Sequence, residues 1–237
     1  MNFYFKPTYT FTFVVFILLS ILLSLGFWQL HRAEEKRLLQ AKFDARIKAT
    51  PITLEQAEKL RDNFYYPVQA EGHFDNAHSF LLDNQFYHHR VGYQVITPFL
   101  TEKTHRWILI NRGWVPMKPN RELAIKIPAI SDKVQIKGFL HVPQNNPFIS
   151  DEIESISWPL RIERLNIPSL SNRLNRALYP AIMLLDPQNP YGFIRQWQPI
   201  SMKAATHTGY AVQWFAMAGV LLVIYLGTSI KRNEPKS

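Results

Sequence analysis

Two stretches of the chain are almost wholly apolar, and a long segment between them alternates. Phe11 to Leu30 reads FTFVVFILLSILLSLGFWQL, with Thr12, Ser20 and Ser24 as the only polar side chains before Gln29. A hydrocarbon core of about 30 Å takes about 20 helical residues, so this run predicts a membrane helix over 11–30. Tyr210 to Ile230, YAVQWFAMAGVLLVIYLGTSI, predicts a second over 210–230. The rival for the first run is a signal peptide cut after Ser24-Leu25-Gly26. The run is longer than an ordinary h-region of about 7–15 residues, and bulky Phe27 and Trp28 follow the small-x-small site.

Between the spans the pattern changes twice. Residues 31–49 lack Gly and Pro, are rich in helix formers and pair Glu34 with Arg37, so they read as a helix leaving the membrane until Pro51 stops it. Thr53 to Asp62 predicts a short helix, with Thr53 and Gln56 as a capping box. Strand signals then follow at Tyr66–Phe74, Ser79–Leu82, Tyr93–Leu100, Trp107–Asn111, Val134–His141 and Ala181–Leu185. Turn residues separate them at Asp75-Asn76, Asp83-Asn84, Pro143–Asn146 and Pro187–Pro190. The expected molecule has two transmembrane α-helices flanking a mainly antiparallel β (α+β) extramembrane domain at 31–206, with tails at 1–10 and 231–237. Asp186–Pro190 and Pro199–Thr206 read as the way back to the membrane.

Charge and composition narrow the partners. The 237 residues carry a net +9, which points to an anionic partner, and the lipid bilayer supplies one. No nucleic-acid-binding motif is present. The chain has no cysteine, which excludes disulfides, thiolate metal sites and a cysteine nucleophile. Two spans place both termini on one side. Lys6, Lys231, Arg232 and Lys236 count for cytoplasmic termini, whereas Arg32, Lys36 and Arg37 count against, and the rule is weak for long loops.

Histidine heads the candidate chemistry. Of eight, His73, His78, His88 and His89 lie among turns and strand ends where they can converge on a metal, although no spacing matches a known site. His207 opens the second span in HTGYAVQWF, and helical spacing puts Tyr210, Ala211 and Trp214 on its stripe. A neutral imidazole above aromatic rings can present Nε2 to a haem iron; the same residues also describe an interfacial aromatic belt. Gln29 and Gln213 fall at similar depth in antiparallel spans and are expected to clasp, an amide pair worth about 0.6–2 kcal/mol. Asn111–Pro116 (NRGWVP) reads as a strand end with a turn at Gly113, and Arg112 is expected to meet an acidic group, either a ligand or a nearby Asp or Glu. Gly72 and Gly138 within strand patterns predict bulges or close backbone approach. No GxGxxG, Walker loop, GxSxG or acid pair appears.

These pieces, in order, resemble a family. GFWQLHRAEEKR (26–37), EGHF (71–74), GYQVITPF (92–99), ILINRGWVP (108–116), KGFL (137–140) and HTGYAVQWF (207–215) are similar to the surfeit-one family of cytochrome c oxidase assembly factors. The match is looser between Pro143 and Asn175. The resemblance implies a non-enzymatic role in maturing haem–copper oxidase. It implies haem a as a transient cargo for subunit I, a haem a synthase as partner, and a domain facing the periplasm or intermembrane space. The tail before the first span is too short for a transit peptide, so a bacterial inner membrane is expected. The family's haem-contacting histidine falls on His207. In that reading Trp28, Tyr210 and Trp214 pack on the macrocycle, Arg32 meets a propionate, and His31 is a second candidate axial contact. The alternative is a scaffold for oxidase subunits or haem synthase that binds no haem, with the exposed edges of the β-rich domain and the NRGW turn as its docking features. A copper carrier fits poorly without soft sulfur ligands, and no nucleophile–base pair suggests a hydrolase or transferase.

Overall fold

A computed structural model describes residues 3–60, 65–121, 123, 125–143, 157–197 and 203–232. The parts of the expected elements at 1–2, 61–62, 144–146, 199–202 and 233–237 lie outside the described residues. The elements in chain order are β1 (Phe3–Phe5), α1 (Tyr9–Arg46), β2 (Ile52–Thr53), α2 (Leu54–Glu58), β3 (Pro67–Phe74), β4 (Phe80–Tyr87), β5 (Arg90–Thr101), β6 (Trp107–Pro116), β7 (Val134–His141), β8 (Leu160–Ile162), α3 (Ile167–Leu174), β9 (Leu178–Leu185), α4 (Ala204–Ser229) and β10 (Ile230–Arg232). The chain divides into two units, Met1–Lys42 with Pro199–Ser237 and Phe43–Gln198.

In the first unit, α1 and α4 are each long and apolar enough to cross a membrane, which fits a membrane protein. The expected span at 11–30 and the following helix are one continuous helix, since nothing between them breaks the ladder. The two helices run antiparallel, as their contacts show. Thr12 Oγ1 lies 3.0 Å from Tyr225 Oη, the rings of Phe27 and Phe215 meet edge-to-face at 5.3 Å, and Arg37 Nη2 donates to Thr208 Oγ1 at 3.4 Å. Small residues line the seam: Gly26 and Ala33 on α1, and Ala211 and Ala218 on α4, are buried. A Cβ on Gly26 would come within 2.5 Å of the Phe215 ring. Close approach through small residues is how helices gain packing contacts in lipid. Beyond the helix ends, β1 and β10 pair antiparallel, Phe3 opposite Arg232.

The second unit is a closed barrel. β3, β7, β9, β6 and β5 pair in a ring that shuts where β5 returns to β3, and β4 and β8 extend the sheet beside β5. Every pairing in the ring is antiparallel except β6 with β9. β5 changes partner midway: Ile96 faces Phe80 of β4, whereas Phe99 faces Phe74 of β3. Pro98, which has no N–H to give, sits at that switch. Alternation sorts the strands' side chains into two cores. Val68, Phe74, Phe99, Ile108, Ile110, Ile136, Leu140, Ala181, Met183 and Leu185 come from all five ring strands and fill the interior. Leu109, Ile182 and Leu184 point the other way, beneath Phe80, Leu160, Ile162 and Leu170 of β4, β8 and α3. Burial on both faces explains why β9 reads as a continuous apolar run rather than an alternating one.

Three local expectations change. Asp83-Asn84 makes no turn: β4 runs through it as a bulge, with Asn84 at φ 55°. The strand holding NRGWVP does not end there either. β6 continues to Pro116, and Arg112 is the extra residue of a bulge between Ile96↔Asn111 and Val95↔Gly113. The helix expected from Thr53 stops at Glu58, although its capping box forms as read. β8 and α3 lie between Pro143 and Asn175, where the family resemblance is looser.

Candidate functional site

His207 lies in the first turns of α4 and is 8% exposed. Its ring is held from α1: Nδ1 lies 2.8 Å from Gln29 Oε1. A carbonyl oxygen only accepts, so with Oε1 facing the ring Nδ1 is the donor, and in the neutral imidazole Nε2 then carries the lone pair. Nε2 is buried and has no hydrogen-bond partner. A neutral imidazole with a bare Nε2 is the form in which histidine binds a metal. Among the described residues, this site brings together a fixed imidazole and a free donor atom.

Gln29 therefore does not clasp Gln213. Residues on an α-helix advance about 100° each, so Ala211 and Ala218 return to the face of His207, whereas Gln213 points well away from it. Ala211 and Ala218 are buried accordingly, and Gln213 is exposed. The same geometry keeps the expected aromatic stripe near this face: Trp214, about 20° from His207, is half-buried, and Tyr210, about 60° away, is 45% exposed. On α1, Trp28 is exposed, one position from Gln29. Arg32, one turn further on, is exposed and pairs with Glu35; His31 Nε2 lies 3.4 Å from the same carboxylate.

The remaining histidines form no such centre. No group of three or more metal-ligating side chains occurs among the described residues. His73 lies on β3, His78 is bound by Asp75 at 2.8 Å, and His88 and His89 form the β4–β5 turn at φ 45° and 62°. His88 lines a cavity of about 500 Å³ with Tyr65, Tyr87, His141 and Trp197. Burial pushes the His141 imidazole below its ordinary value, and its Nδ1 is unpartnered. The walls of this cavity come from segments distant in the chain, so no local pattern marks it.

The NRGW segment is structural. Arg112 is buried between the rings of Phe74 and Phe193, each 5.2 Å from its guanidinium carbon. It donates to the carbonyl oxygens of Tyr191 at 2.9 Å and Pro128 at 3.4 Å, and to no carboxylate among the described residues. Burial, reinforced by Arg195, lowers its pKa to about 10, so it stays charged at neutral pH. Gly113 takes φ 111°, its N–H donates to Asn111 Oδ1 at 3.1 Å, and Trp114 Nε1 donates to Gln85 O at 2.9 Å. Gly72 and Gly138 mark close backbone approaches, to Leu100 O and Leu184 O.

Comparison with known proteins agrees with this architecture. The SURF1 family matches residues 16–219. A SURF1-like protein of Rickettsia conorii is 30% identical over 90% of this chain and 89% of its own length. A SURF1-like protein of Rickettsia prowazekii is 26% identical over 94% of this chain and 91% of its own. Surfeit locus protein 1 of Gallus gallus is 30% identical over 58% of this chain and 50% of its own. The matched region runs from the first helix to the second and includes Gln29 and His207. The chain belongs to the SURF1 family.

Proposed function

We propose that this chain is an assembly factor for haem–copper cytochrome c oxidase that holds haem a at His207 for transfer to subunit I. The SURF1 family is known in general for cytochrome oxidase assembly factors. The carrying observation is the buried, unpartnered Nε2 of an imidazole already fixed through Nδ1. An orphaned buried acceptor costs about 1–3 kcal/mol, and such a group calls for a reason. Haem a, when bound, supplies an iron whose axial position a neutral imidazole nitrogen can fill. Because Nε2 is covered, side chains of the seam must shift before it can act as a ligand. That requirement favours a modest, reversible hold, as a carrier needs.

Trp28 and Tyr210 offer exposed aromatic surface at the same end of the helices, and Trp214 a half-buried ring. Arg32 must exchange Glu35 to meet a propionate. In this reading the bilayer is a bacterial inner membrane, the domain is periplasmic, both termini are cytoplasmic, and a haem a synthase is the upstream partner. We assign the chain no enzymatic step. The scaffold alternative loses its first docking surface, since Arg112 and Trp114 are buried in the barrel.

Co-expression with the enzymes of haem a synthesis, purification in mild detergent and absorption spectroscopy test the proposal. The wild type is expected to carry a Soret band that His207→Ala loses or shifts. Equal haem content and identical spectra in both would overturn His207 as the ligand. Haem-free protein in both, with oxidase subunits still co-purifying, would leave the scaffold reading.

A further inference from the structure

We propose that Gln29 is a positioning residue that holds His207 in its Nδ1–H tautomer and so reserves Nε2 for a metal. This inference rests on the haem reading for its purpose, but not for its geometry. The two side chains meet at 2.8 Å across α1 and α4. The bond sits at a seam of small residues, where Ala33 and Ala211 are fully buried and His207 is 8% exposed. A polar pair inside an apolar seam has few alternatives, which makes the amide the ring's anchor. Which nitrogen of a histidine ligates is set by the bond the other one makes. An acceptor at Nδ1 fixes the proton there, sets the ring's plane against α1 and leaves the lone pair on Nε2. In the opposite orientation the Gln29 amide N–H would donate to Nδ1. The proton would then lie on Nε2 and block it. The first orientation is the one the structure holds, with Oε1 facing the ring, and Nε2 has no partner on the side away from Gln29.

Gln29 also explains a polar residue at the end of an otherwise apolar run. The side chain is half-buried, and its bond is to the one histidine of the second helix. A carboxylate at this position would accept the same bond, whereas an aliphatic side chain of similar size would fill the space and leave Nδ1 free.

The test uses the full chain with ¹⁵N-labelled histidine in lipid nanodiscs, read by ring-nitrogen NMR, with His207→Ala to assign the resonances. A second reading titrates haem a by absorption. In the wild type, Nδ1 of His207 is expected to be protonated and Nε2 bare. Gln29→Leu should move the proton toward Nε2 and weaken haem a binding about 10–100-fold. Gln29→Glu should keep the wild-type tautomer and bind haem a at least as tightly as Gln29→Leu does. A proton on Nε2 in the wild type, or an unchanged tautomer in Gln29→Leu, overturns the proposal. So does unchanged haem affinity in Gln29→Leu when His207→Ala loses binding. If His207→Ala binds haem a as well as the wild type, the haem reading fails by itself. The tautomer result then decides the hold of Gln29 on the ring.

Discussion

Gly113 is the residue whose conformation no other side chain can share cheaply. Its φ of 111° is outside the range of L residues, and a Cβ there would lie 2.6 Å from both Arg195 Cγ and Ile194 O. Gly113→Ala is expected to destabilise the barrel by about 2–4 kcal/mol, through backbone strain and a clash with the backbone of Ile194, which bridges to Trp114. A lowered thermal midpoint by circular dichroism would show it; an unchanged midpoint would mean the bulge can be remade. Asp75 carries a different dependence. Burial pushes its carboxyl up, but hydrogen bonds from Arg176 and His78 outweigh that and hold it below its ordinary value of 3.8. A depressed folded pKa gives stability that is present above the unfolded value and lost as pH falls through the folded one. Asp75→Asn should therefore cost about 1–3 kcal/mol at pH 7, and the gap to wild type should close as pH falls below about 4. Melting both proteins across that range checks the sign, and a gap that widens in acid would refute it. Residue-level reading of sequence succeeded where the rule was local. Thr53 and Gln56 are three residues apart and needed no tertiary partner to be recognised. It missed the partners of Arg112, though not its structural role, because a guanidinium held by carbonyls and rings leaves no charge pattern in the chain.

At the scale of elements, the apolar runs located both helices and the hearts of six strands, since periodicity depends only on which faces are buried. Their extents were less legible. β4 and β6 each pass through residues that ordinarily mark turns, because a bulge uses the same Asn or Gly conformations without ending the ladder. Pairing was not legible at all. The parallel contacts of β6 with β9 and β4 with β8 join segments separated by long stretches of chain. The helix pair shows how small a signal can decide packing. Gln213 is polar too, but it lies about 9 Å along α4 and about 240° around it from His207, and Gln29 bonds to His207. Gly26 sets the approach at this seam, so Gly26→Leu should push the Phe215 ring and α4 away. The absence of native cysteine makes this measurable. Cysteines at Arg37 and Thr208, whose side chains meet in the wild type, should be joined efficiently by a short bis-maleimide. Adding Gly26→Leu should reduce that yield several-fold, and an equal yield would show that the seam tolerates the larger side chain.

The whole molecule separates two tasks by chain segment. The residues from Phe43 to Gln198 close a barrel with an interior drawn from all five ring strands. His207 and Gln29 belong to the other unit. A closed ring also has no free edges among its five strands, and the sheet's ends fall to the short strands β2 and β8, which limits strand-to-strand aggregation. The fragment 43–198 is therefore expected to be soluble, to unfold in one cooperative transition, and to leave haem a unbound. The full chain is expected to bind it. Gel filtration, a thermal melt and a haem a titration of the fragment beside the full chain make the comparison. A fragment that does not fold would show that the barrel needs its flanking helices. A folded fragment that binds haem a would move the ligand site off the seam. The cavity of about 500 Å³ with His88 and His141 in its wall would then be the place to look, and His141→Phe should abolish that binding while leaving the His207–Gln29 bond intact.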